Sequence, residues 1–79
     1  LTSHEIDVLK ALKTLGFNYI ARDKDGDLYA YNTKPHKFDY QWNTVSSIAT
    51  PLVHLDIGFD FIKWENEDPT KIDDLLKER

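Results

Sequence analysis

Residues 22–31 read RDKDGDLYAY, and the use made of Asp23, Asp25 and Asp27 around Gly26 decides how the rest of the chain is arranged. Acidic residues alternating up to a glycine suggest a calcium loop, whose oxygen ligands stand at positions one, three and five with glycine at six. If Gly26 is position six, Asp25 and Asp23 fill five and three, but position one is Ala21 and position twelve is Asn32 in place of a bidentate glutamate. Alanine offers no ligand atom. The flanks FNYIA and LYAY are aromatic and β-branched, which suits strands and not the helices of an EF-hand. The stretch is therefore expected to be the turn of a β-hairpin.

Two registers are open to that hairpin. A type I′ turn centred on Asp25 and Gly26 sets Ile20 opposite Tyr31, Arg22 opposite Tyr29 and Tyr19 opposite Asn32. A type I turn over residues 23–26, with Gly26 left-handed as a bulge, moves the pairing by one, so that Tyr19 faces Tyr31 and Ala21 faces Tyr29. The bulged turn sorts the side chains better. It gathers Tyr19, Ala21, Tyr29 and Tyr31 on one face and Ile20, Leu28 and Ala30 on the other, with aspartate first and glycine last in the turn.

Upstream, Thr2 and Glu5 fit a capping box, and Ile6, Val8, Leu9, Leu12 and Leu15 follow as an apolar stripe at helical spacing. Gly16 is expected to end that helix, with Phe17 folding back on its last turn. Downstream, Phe38, Tyr40 and Trp42 alternate with Asp39 and Gln41, which predicts a third strand beside the hairpin. Residues 45–49 suit a fourth strand ended by Pro51. The run LVHLDIGFDFI matches strand and helix periodicity about equally; one or two helical turns and then an extended segment at residues 61–64 are expected. Asp68 and Pro69 predict the cap and first position of a last helix, with Ile72, Leu75 and Leu76 as its buried stripe.

The 79 residues are expected to form a single small domain with one core. The chain has no cysteine, so neither a disulfide framework nor a cysteine-ligated zinc site is expected. No apolar run approaches the roughly 20 residues of a membrane span, and no basic-then-apolar leader opens the chain. A cytoplasmic location is the expectation, and residues preceding Leu1 are expected because the chain holds no methionine. The net charge of −4 lies wholly beyond residue 53, since residues 1–18 and 19–42 each balance. That acidic third disfavours a nonspecific nucleic-acid surface there.

The runs LGFNYIARDKDGDLYAYNTKP (residues 15–35) and FIKWENEDPTKIDDLL (residues 61–76) resemble small uncharacterised proteins encoded by phages and prophages of low-GC Gram-positive bacteria. The likeness covers the hairpin and the C-terminal quarter, and its motifs are structural signatures. It implies a phage context and a host cytoplasm, and it carries no catalytic residues.

Signatures of chemistry are sparse. The sequence has no nucleophile elbow, Walker loop or dinucleotide fingerprint. His4, His36 and His54 are far apart, and His54 with Asp56 is at most half a metal site. A carboxylate pair needs a pocket to separate its pKa values, for which so small a domain has little room. A noncatalytic protein without metal or cofactor is expected; an enzymatic reading would have to converge on His36, His54, Asp56 and Asp60.

The aromatic residues are the richer set. Tyr19, Tyr29, Tyr31, Phe38, Tyr40 and Trp42 all fall in the expected sheet, interleaved with Arg22, Lys34 and Lys37, and such a face could stack nucleic-acid bases. Against this, the local charge is zero and the rings serve equally as core beneath the segment after Thr44. Protein recognition is the favoured alternative, because tyrosine and tryptophan suit binding hot spots and Trp64 sits in the acidic KWENEDP, although Trp64 would equally anchor the last helix. An open sheet edge could also pair two copies into a dimer. The expectation is an α+β domain, an N-terminal helix on a three- or four-stranded antiparallel sheet with a short C-terminal helix, that binds protein and, as the alternative, single-stranded nucleic acid.

Overall fold

The computed structural model describes residues 2–44, 49–52 and 58–77. Its first element, α1 (Ser3–Thr14), starts on the expected capping box: Glu5 N–H donates to Thr2 Oγ1 at 3.1 Å, and Thr2 N–H donates to Glu5 Oε1 at 2.8 Å. It ends where glycine permits. Gly16 has φ +98°, and the N–H groups of Gly16 and Phe17 turn back to the carbonyls of Lys13 and Leu12, closing the last turn. Leu9 and Leu12 form the buried stripe, with Val8 half-buried beside them.

The hairpin follows as β1 (Tyr19–Arg22) and β2 (Leu28–Tyr31), antiparallel, with Tyr19 opposite Tyr31 and Ala21 opposite Tyr29. This is the bulged register. Gly26 has φ +99°, its N–H donates to Asp23 O at 3.0 Å, and Asp23 N–H donates to Asp27 O at 2.8 Å. A one-residue slip would move every side chain to the other face, so the burial of both faces locks the pairing. Ile20, Leu28 and Ala30 pack under α1 with Leu9, Leu12, Leu52, Phe59, Ile62 and Ile72, while Ala21 and Tyr31 pack on the opposite side with Trp42.

Two short strands flank the hairpin, β5 (Thr50–Pro51) on β2 and β6 (Thr70–Lys71) on β1, giving one antiparallel sheet in the order β5-β2-β1-β6. Between β2 and β5, β3 (His36–Lys37) and β4 (Trp42–Asn43) make a separate two-stranded ribbon. The chain closes with α2 (Ile72–Lys77), whose Ile72 is fully buried. Six residues do not hold a helix in water, and docking supplies what propensity does not: Ile72 N–H donates to Asn18 O, and Leu75 and Leu76 rest on the core.

The α+β architecture expected from the sequence is present, with four local corrections. Phe38, Tyr40 and Trp42 do not line a third strand of the main sheet. The free edge of β2 is taken by β5, and residues 38–41 form the turn of the second ribbon, closed by Phe38 N–H to Gln41 O at 2.8 Å. Pro51 does not end a strand but lies within β5, on the outer edge of the sheet, where a residue without an N–H is tolerated. Residues 45–48 of the expected fourth strand, and the helical turns expected at residues 53–57, lie outside the described residues. Residues 61–64 are not an extended segment, since Ile62 N–H folds back to Phe59 O and Asn66 N–H to Lys63 O. The last helix starts at Ile72 and not at Pro69, because Thr70 and Lys71 pair with Ile20 and Tyr19. Among the described residues no helix is long and apolar enough to cross a membrane.

Candidate functional site

The sequence singled out the tyrosine side of the hairpin, and that side is largely consumed by packing. Tyr31 is fully buried and Trp42 is 4% exposed, with Tyr19, Tyr29, Ala49 and Trp64 half-buried against them. The Tyr31 hydroxyl donates to Trp42 O at 3.1 Å, and burial pushes its pKa well above the usual phenol range. Rings in such contact have no face left for a base. Trp64 belongs to this cluster: it leans on the tyrosine side and not on the last helix.

The cations expected beside those rings are committed too. Arg22 Nε donates to Ile62 O at 2.7 Å, Nη1 to Gly26 O at 2.5 Å, and Nη2 to Gly58 O and Phe59 O, each at 3.1 Å. One guanidinium thus closes its own turn and clamps residues 58–62 to the sheet. Lys37 donates to Trp64 O and, at 3.1 Å, to Asn66 O, with its ammonium 4.3 Å from the Trp64 ring centroid and 5.6 Å from that of Trp42. Lys34 is exposed in the connection before β3.

The opposite situation holds at the tip of the second ribbon. Phe38 is 56% exposed and Tyr40 is 71% exposed, on a turn fixed by its own hydrogen bond and by Lys24 N–H to Tyr40 O at 3.1 Å. Lys24 holds its ammonium 5.2 Å from the Tyr40 ring. With Asp39 and Gln41, these rings line an open groove of about 430 Å³. Sequence reasoning had Tyr40 in a shared sheet face with Tyr19, Tyr29 and Tyr31; the structure separates it from them. The one hint in the sequence is Asp39, a turn-forming residue between the two rings.

The aspartate loop answers its own question, because its carboxylates have separate tasks. Asp25 Oδ1 accepts the Asp27 N–H at 3.0 Å, and Asp23 Oδ1 accepts the Trp42 N–H at 2.9 Å. Asp23 is 8% exposed; burial raises its pKa, opposed by the bond from Trp42 and reinforced by the charges of Asp25 and Asp27. Asp23 also borders a cavity of about 130 Å³ shared with Tyr29, Tyr31 and Trp42.

A second buried carboxylate went unnoticed as such in the sequence. Glu5, read there only as a cap, also accepts the Phe59 N–H through Oε2 at 2.8 Å, and the bonds from Thr2 and Phe59 hold its pKa below the usual glutamate value. Phe59 has φ +55°, a left-handed conformation that is strained for a phenylalanine, and its fully buried ring and this bond keep it there. No sequence signal links residue 5 to residue 59.

His36 and Asp60 are both exposed and lie on separate segments, while His54 and Asp56 lie outside the described residues. Among the described residues no group of three or more histidines or carboxylates is gathered for a metal ion. No protein-family model matches the chain, and neither the curated proteins nor the solved structures yield a match.

Proposed function

We propose that this chain is a noncatalytic binding module that contacts a protein partner through the tip of its second ribbon, in the phage and host-cytoplasm setting that the sequence resemblance implies. The observation that carries the reading is the exposure of Phe38 and Tyr40 on a turn held at both ends by backbone hydrogen bonds. An exposed ring on a fixed turn loses little conformational freedom when a partner covers it. Covering each ring would contribute about 2 kcal/mol, enough for the pair to dominate a small interface.

Strand addition is a poorer route to a partner or to a second copy. One edge of the sheet carries Pro51, and the other is the two-residue β6, which runs directly into α2. The nucleic-acid alternative loses support because Tyr31 and Trp42 are buried and Arg22 and Lys37 are occupied by carbonyl oxygens. The described histidines and acids sit on separate elements, which favours a noncatalytic role.

The test compares the parent chain with the double variant Phe38→Ser/Tyr40→Ser, by quantitative affinity capture from host extract and by titration with oligonucleotides. Both substitutions are at exposed positions, so the variant keeps its thermal midpoint. A protein captured by the parent and lost at least tenfold from the variant supports the reading. Equal capture by both chains, or salt-sensitive oligonucleotide binding that Tyr29→Ala abolishes, overturns it.

A further inference from the structure

Separate from the exposed tip, the cavity between the two ribbons combines features of an ammonium-binding site. Its wall contains the rings of Tyr29, Tyr31 and Trp42 together with the Asp23 carboxylate, and its volume of about 130 Å³ matches about four water-sized groups at roughly 30 Å³ each. Gln41 and Asn43, both exposed, place its mouth at the surface beside β4. Aromatic faces attract cations through their quadrupoles, and a carboxylate out of bulk water adds a strong charge interaction.

Two further observations bear on the ligand. The Tyr29 phenol has its pKa raised, first by burial and then by the charges of Asp23, Asp27 and Asp25, so the field at this wall is negative. The buried indole Nε1 of Trp42 meets no acceptor among the described residues, which leaves a donor unmatched in the wall. Lys37 shows the same preference from within the chain, since its ammonium lies 5.6 Å from the Trp42 ring centroid. Its single charge does not offset the three aspartates.

We infer that the cavity lined by Asp23, Tyr29, Tyr31 and Trp42 binds a small organic ammonium group, with an adjoining hydroxyl or carbonyl oxygen to meet the Trp42 indole N–H. A free choline-like amine and a methylated lysine side chain share this chemistry. The test is a titration followed by the indole N–H resonance of Trp42 in ¹H–¹⁵N spectra. Choline chloride, a trimethyllysine-containing peptide, sodium chloride and sodium acetate are the probes, compared at equal ionic strength.

The expected result is a saturable shift with choline or with the peptide, with a dissociation constant on the order of 1 mM or tighter. Tighter binding of the peptide identifies a modified protein as the source, and tighter binding of choline a free amine. Asp23→Asn keeps an acceptor for the Trp42 N–H and should weaken binding at least tenfold. Tyr29→Leu, at a half-buried position, should do the same and stands in if the first variant does not fold. A shift no larger than that of sodium chloride, an equal response to acetate, or undiminished binding in a folded variant overturns the inference. Phe38→Ser/Tyr40→Ser should leave the ammonium response intact, so this site and the protein-binding tip can fail independently.

Discussion

Glu5→Ala is the substitution whose cost the structure defines most closely. It removes the acceptor for Thr2 N–H at the start of α1 and the acceptor for the Phe59 N–H in a left-handed backbone. Loss of half a capping box costs about 0.5–1 kcal/mol. A buried N–H left without a partner costs about 1–3 kcal/mol, and Phe59 then also loses a restraint on its strained φ. The sum is about 2–4 kcal/mol, a large share of the roughly 4–12 kcal/mol typical for a domain of this size. At about 4–8 °C per kcal/mol, the thermal midpoint should fall by roughly 10–25 °C.

Circular dichroism during heating and in urea at pH 7 measures this directly. Glu5→Gln, with a single oxygen for the two donors, should fall between parent and alanine variant, and Asp7→Ala on the exposed side of α1 should change little. The pH dependence has a definite sign. The folded pKa of Glu5 is depressed, so its contribution is complete above the unfolded value of about 4.3 and is lost as pH falls through the lower folded value. The gap between parent and Glu5→Gln should therefore narrow below pH 4. A Glu5→Ala variant within about 0.5 kcal/mol of the parent would refute the claim that this carboxylate ties the helix start to Phe59.

Two other substitutions test the remaining anchors. Arg22→Lys cannot reproduce a planar guanidinium that reaches four carbonyls, and it should lower stability by about 1–3 kcal/mol in urea melts; an unchanged midpoint would show that the clamp is idle. Asp23→Asn retains an acceptor for Trp42 N–H but sheds a buried charge. Because the folded pKa of Asp23 is raised, its contribution is complete below the unfolded value of about 3.9 and is lost as pH rises through the folded value, so the variant should match or exceed the parent at pH 7 and lose that advantage near pH 3. Asp23→Ala should instead cost about 1–3 kcal/mol through the orphaned N–H, and equal losses in both variants would contradict the assignment.

The first hairpin was legible because its residues are constrained twice, by the turn chemistry of Asp23 and Gly26 and by a two-sided burial pattern that only one register satisfies. The α1 boundaries were legible for a similar reason, as Thr2, Glu5 and Gly16 act through the backbone next to them. The second ribbon was not. Alternating Phe38, Tyr40 and Trp42 looks the same whether one face is buried or two of the rings ride on a turn, and only the occupancy of the β2 edge by Thr50 and Pro51 decides. At Asp68 and Pro69 the local helix signal was outweighed by the open edge of β1. The contacts of Arg22, Lys37 and Glu5 end on main-chain atoms of irregular segments, where any residue type would serve and composition leaves no trace.

The reach of Arg22 bears on how the chain acquires its shape. Three of its carbonyl partners are 36, 37 and 40 positions away, so these bonds form only after a long loop has closed. During synthesis the hairpin leaves the ribosome with its guanidinium bonded only to the nearby Gly26, and β1 stays uncovered on one side until Thr70 and Lys71 arrive. A nascent chain halted before residue 58 would therefore present a bare strand and a free cation together, the form in which this protein is most open to chaperones and proteases.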